Sequence, residues 1–141
     1  MKIYIGSDHA GVELKELIKS HFGKKIEFED VGTFTTESVD YPDFAHKVAQ
    51  NVLDDAGSYG VLICGTGNGM AITANKHAGI RAALCWAPEI AALAKQHNNA
   101  NVIVLPARFI PSDVALATLS AFFDAEFEGG RHQRRIDKIN I

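Results

Sequence analysis

The feature that most constrains this chain is its alternation: a short apolar run of strand character is followed, five times over, by a segment with apolar residues at helical spacing. Lys2–Gly6 reads as a buried strand, and Val12, Leu14, Leu17 and Ile18 then recur at helical intervals up to Phe22. Ile26–Asp30 is a second strand, Gly32–Asp40 a polar loop, and Tyr41–Asp54 a helix with Phe44, Ala45, Val48, Ala49 and Val52 on one face. Pro42 suits its first turn, where a missing N–H costs nothing. Val61–Cys64, Ala82–Cys85 and Val102–Leu105 are the remaining strands. They are followed by helices near Met70–Lys76, Pro88–Gln96 and Ser112–Phe123, the last with Ser112 expected as its N-cap. The tail, Glu128–Ile141, is expected to form a short amphipathic helix. Repeated βα units of this length predict a parallel sheet covered on both faces through right-handed crossovers. The expected class is therefore α/β, a Rossmann-like three-layer α/β/α sandwich on a five-stranded parallel sheet, with residues 1–141 as one domain.

Composition narrows the function. A net charge of -3 gives no global attraction for nucleic acid or an anionic membrane, so an anionic ligand must be held by a local basic cluster. No apolar run approaches the roughly 20 residues that span a bilayer. The opening MKIYIGSDHAG lacks the apolar core of a signal peptide, and a cytoplasmic protein is expected. Cys64 and Cys85 each close an apolar run and are read as free thiols.

In open α/β sheets ligands bind beyond the carboxyl ends of the strands. That rule draws attention to Ser7, Asp8, His9 and Gly11, to Cys64–Gly69, to Trp86 and to Arg108; the reading places His97, Asn98 and Asn99 in the same group of loops. Trp86 itself is read as core packing. The stretch CGTGNGM at Cys64–Met70 is not a P-loop, since Met70 stands where lysine is required, and it lacks the last glycine of the dinucleotide pattern. What remains is a turn that can aim several N–H groups at one point in front of a helix, a nest for a phosphate or an oxyanion. Cys64 borders it, where the positive end of a helix favours a thiolate, so a nucleophile or a proton-transferring base is expected; Cys85 has no such loop and is read as structural. His21, His46 and His77 are read as surface or structural, while His9 and His97 sit among polar neighbours as site candidates. Histidine spacing supports no metal site. Arg131–Arg135 is a solvated face or, with Arg108, a phosphate clamp.

Taken together, SDHAG at Ser7–Gly11, DYPDFA at Asp40–Ala45, ICGTGNGM at Ile63–Met70, ANK at Ala74–Lys76, GIRAALC at Gly79–Cys85, HNNANV at His97–Val102 and EGGRHQRR at Glu128–Arg135 resemble ribose-5-phosphate isomerase type B over nearly the whole chain. The wider family includes galactose-6-phosphate and allose-6-phosphate isomerases. The resemblance implies interconversion of D-ribose 5-phosphate and D-ribulose 5-phosphate with no metal or organic cofactor, in the non-oxidative pentose phosphate pathway. It implies that Cys64 moves a proton between C1 and C2, and that Thr66 with the backbone of Gly65, Gly67, Asn68 and Gly69 stabilises the enediolate. Asp8 and His97 would open the sugar ring. His9, Arg108, Arg131 and Arg135 would hold the phosphate, with Tyr41, Asn98 and Asn75 lining the sugar site. A branch of the family uses a glutamate where this chain has Met70, which cannot accept a proton, leaving Cys64 as the base. The resemblance further implies a homodimer, or a dimer of dimers, with sites shared across the interface and the phosphate-binding arginines coming from the neighbour. A hexose 6-phosphate substrate, a non-catalytic sugar-phosphate module and, more weakly, a cysteine-nucleophile hydrolase are the competing readings.

Overall fold

The computed structural model describes residues 1–140. Strands β1 (Lys2–Ser7), β2 (Glu27–Asp30), β3 (Tyr59–Cys64), β4 (Ala82–Leu84) and β5 (Val102–Pro106) form one parallel sheet in the order β2-β1-β3-β5-β4. The helices are α1 (Val12–Phe22), α2 (Tyr41–Asp54), α3 (Asn68–Ala74), α4 (Pro88–Asn98), α5 (Ser112–Asp124) and α6 (Arg131–Asp137). This is the expected three-layer α/β/α sandwich, and its layers follow from the period of two along each strand. Ile3, Ile5, Val61, Ile63, Ile103 and Leu105 point to one face and meet Leu14 and Ile18 of α1, Ala91 and Ala94 of α4, and Ala115, Leu119 and Phe122 of α5. The alternate residues Leu62, Cys64, Val102 and Val104 point to the other face and meet α2 and α3 through Val48, Val52, Met70 and Ala74. Each fully buried aliphatic side chain here stabilises the fold by about 1.5–3 kcal/mol. Gly60 lets α2 settle close on β3, since a Cβ there would stand 2.7 Å from the Val48 methyl.

Three local expectations are corrected. Ser112 is not a cap: Pro111, extended at φ -65° and ψ 153°, occupies that position, so Ser112 falls in the first helical turn with no side-chain cap bond. Trp86 is not core: it is 54% exposed, because it follows the three-residue edge strand β4, beyond which no further strand lies among the described residues. α3 also begins earlier than its apolar spacing suggests, because Gly67, at φ 81°, turns the chain straight into the helix.

A buried ion pair anchors the loop that follows β2. Lys15 of α1 is fully buried and its Nζ donates to Asp30 Oδ1 at 2.9 Å and to the carbonyl of Thr33. Asp30 also accepts from Lys19 Nζ and from the Gly32 amide, each at 2.9 Å. The base of the loop is paired to the end of β1, with Ser7 N–H donating to Gly32 and Thr33 N–H donating to Ser7, both at 2.8 Å. Removing one member of a buried pair leaves the other charge without its partner. Lys15→Met is therefore expected to cost about 3 kcal/mol of stability, read from urea unfolding.

Candidate active site

The strand order reverses direction at β1 and β3, so their carboxyl ends open a crevice between the connections that leave on opposite faces. The pairing of these strands runs from Ile3↔Tyr59 to Ser7↔Ile63, and the Asp8 amide extends it by donating to the Ile63 carbonyl at 3.1 Å. Asp8 and Cys64 are thereby delivered to the same spot, 8% and 5% exposed. Asp8 Oδ1 accepts from the Ala10 amide at 2.9 Å, which caps the 3-10 turn His9–Gly11 and fixes the carboxylate. His9 Nδ1 accepts from the Val39 amide at 3.2 Å.

The glycine loop is shaped by its neighbours. The Ala107 and Arg108 amides donate to the carbonyls of Cys64 and Gly65 at 2.9 and 3.0 Å, continuing the β3–β5 pairing past the strand ends. Arg108 then lies over Gly65, 3.3 Å from where a Cβ would stand, and a Cβ on Gly69 would overlap the Tyr41 ring. One on Gly67 would overlap Leu84. Thr66 Oγ1 accepts from the Asn68 amide at 3.2 Å, which leaves its hydroxyl proton free to donate. Met70 is fully buried beneath the loop. Cys85 lies on the other face of the sheet, where burial pushes its thiol up to about 12, in keeping with a structural role.

His97 and Asn98, expected in the same group of loops as Cys64, lie instead at the opposite edge, together with the arginines expected to come from the neighbouring chain. In a parallel sheet each helix returns the chain to the amino end, so residues that end helices or begin strands gather there. His97 and Asn98 end α4, beside the start of β4, where Arg81 Nε donates to the carbonyls of Asn98 and Asn99 at 3.1 and 2.9 Å. The tail is attached to the same place, Glu128 N–H donating to the Gln96 carbonyl at 3.0 Å, so Arg131 and Arg135 of α6 belong to this edge as well. Asn75 ends α3 there, its amide engaged with both the N–H and the carbonyl of Ala82 at 2.8 and 2.9 Å.

Glu128 and His132 were not singled out by sequence reasoning, although their i,i+4 spacing in the tail was the available signal. His132 is 8% exposed and its ring stacks on His97, with centroids 4.2 Å apart and planes at 12°. Glu128 Oε1 stands 3.6 Å from His97 Nε2 and 3.5 Å from His132 Nε2. Desolvation, the neighbouring His97 and the arginines of α6 together hold the His132 imidazole below its ordinary range. Among the described residues these are the one cluster with donors close enough to suggest a metal. Arg131 and Arg135 oppose a cation there, so the cluster reads as a stacked histidine pair beside one carboxylate.

A model of the ribose/galactose isomerase family matches residues 3–139. The ribose-5-phosphate isomerase B of Escherichia coli strain K12 is 43% identical over 139 residues, covering 98% of this chain and 93% of that protein. The crystal structure of a ribose 5-phosphate isomerase from Thermotoga maritima superposes with a TM-score of 0.96 at 54% identity, covering 99% of this chain and 97% of that one. The ribose-5-phosphate isomerase B of Mycoplasma genitalium, solved with bound ribulose-5-phosphate, gives a TM-score of 0.94 at 46% identity over 98% and 93% of the two chains. The resemblance carried by the sequence motifs thus extends from end to end and into three dimensions, and the chain belongs to the ribose/galactose isomerase family.

Proposed function

We propose that this chain interconverts D-ribose 5-phosphate and D-ribulose 5-phosphate through an enediolate, in the cytoplasm and in the non-oxidative pentose phosphate pathway. The observation that carries this reading is the meeting of Cys64, Asp8 and the glycine loop at the strand-order reversal, under an arginine. Isomerisation of an aldose needs a base that removes the C2 proton and returns it at C1, together with donors for the oxygen that gains charge between those events. Cys64 is suited to the first task. The N–H groups of the glycine loop and the free Thr66 hydroxyl are suited to the second, and each such donor is worth about 3–4 kcal/mol to a transition state. Asp8, held by the Ala10 amide, supplies a carboxylate that can take a hydroxyl proton as the furanose ring opens. His9 and Arg108 lie at the same edge for the phosphate.

His97, Asn98, Arg131 and Arg135 complete the set only if a second copy brings its amino edge to this crevice. We therefore assign the active species as a homodimer, alone or paired into a dimer of dimers, with each site drawn from both chains. A symmetric dimer repeats the arrangement twice, since an isologous interface gives each chain the same exchange.

Dialysed, chelator-treated protein is expected to isomerise ribose 5-phosphate, with allose 6-phosphate run beside it to set the chain length of the substrate. Cys64→Ala is expected to lower kcat by roughly a thousandfold or more while calorimetry still detects substrate binding. Retained turnover would move the base elsewhere. A second test addresses the shared site: Cys64→Ala and His97→Ala chains, each inactive, are unfolded, mixed in equal amounts and refolded. Half of the dimers are then mixed, each with one intact site, so activity is expected to return to about a quarter of wild type. A site contained within one chain would leave the mixture inactive.

A further inference from the structure

Histidine can serve an anionic ligand only through a nitrogen that carries a proton, and in the neutral ring just one of the two nitrogens does. At His9 the choice is made by the backbone. The Val39 amide lies 3.2 Å from His9 Nδ1, and an amide can only donate, so Nδ1 must present its lone pair and the proton must reside on Nε2. The loop that supplies this amide is fastened at both ends to the site. Its beginning pairs with Ser7, the residue before Asp8 and His9, and is held from below by Lys15 through Thr33 and Asp30. Its end is Asp40, where α2 starts, and the next residue, Tyr41, packs on Gly69 of the glycine loop. Between those anchors the Val39 amide makes the loop's hydrogen bond to a candidate site side chain.

We propose that the Val39 main-chain amide is a positioning group that locks His9 as the neutral Nε2–H tautomer, so that His9 meets the substrate phosphate as a hydrogen-bond donor. The opposite tautomer would set a lone pair against a phosphate oxygen and replace an attraction with a repulsion. This inference rests on the reading of His9 as a phosphate ligand, but the tautomer itself is a property of the unliganded protein. The phosphate lies at the end of the sugar away from C1 and C2, so losing the lock weakens binding of substrate and transition state alike and appears in KM.

The test begins without substrate. Long-range 15N–1H correlation on the uniformly labelled protein, with His9 assigned by its loss in His9→Gln, is expected to show the Nε2–H tautomer; an Nδ1–H pattern overturns the proposal. Val39→Pro deletes the amide proton and is expected to mix the two tautomers and raise KM for ribose 5-phosphate roughly tenfold, with kcat changed less than about twofold. Val39→Ala, which restores the N–H, is expected to restore the single tautomer. If Val39→Pro keeps the wild-type tautomer and KM, the lock does not exist. Failure of the functional reading is separate, because it appears as wild-type protein that shows the Nε2–H tautomer and turns over no sugar phosphate.

Discussion

The parallel pairing of β1 with β3 in the middle of the sheet governs the rest of the molecule. Its register brings Ser7 opposite Ile63, and one further hydrogen bond, from Asp8 N–H to the Ile63 carbonyl, carries the ladder past the strand and into the loops. A shift of one residue would exchange the two faces of a strand, sending Cys64 from the α2–α3 face to the face that holds Cys85. The core prevents such a shift, because Val61 and Ile63 are matched to one layer and Leu62 and Cys64 to the other. The same apolar alternation that stabilises the fold therefore aims the thiol. On the other side of β3 the pairing with β5 acts in the same way, holding Cys64 and Gly65 by their carbonyls and bringing Arg108 over the loop.

The glycines after Cys64 are better understood through the side chains that occupy the space a Cβ would need. Arg108 lies on Gly65, Leu84 on Gly67 and Tyr41 on Gly69, so three different elements close on one short loop. Gly67 additionally holds a positive φ that side-chain-bearing residues adopt at a cost. The loop is thin because its surroundings are dense, and this is how it can be rigid without being bulky. Rigidity of that kind matters for oxyanion stabilisation, whose benefit depends on donors that need no rearrangement when charge develops.

Most of the fold was legible because its signals are local and periodic: strand runs, helical spacing and the glycine break are all read within a few residues. The carboxyl-edge half of the candidate site was legible for the same reason, Cys64 closing a strand and Asp8, His9 and Arg108 lying just past one. The placement of His97, Asn98 and Asn99 was missed because nearness to a strand in sequence does not state which end of the strand is near. Direction along the sheet decides that, and helix ends lie opposite to strand ends. Trp86 was misjudged since apolar character cannot reveal that β4 is an edge, a fact of strand order. The Lys15–Asp30 pair, the His97–His132 stack and the Val39 amide bond join residues distant in sequence or use the backbone, which carries no residue-type signal.

The separation of the two groups of polar residues to opposite edges of one sheet has a consequence for how this protein would behave in a cell. If the reaction needs both edges, a correctly folded single chain is only a precursor, and output is governed by mass action: output per chain falls on dilution through the association constant, and total output rises with synthesis faster than in simple proportion. Selection on turnover would then act on the whole contact surface between the chains, because a substitution that merely loosens subunit contact lowers the number of sites in existence.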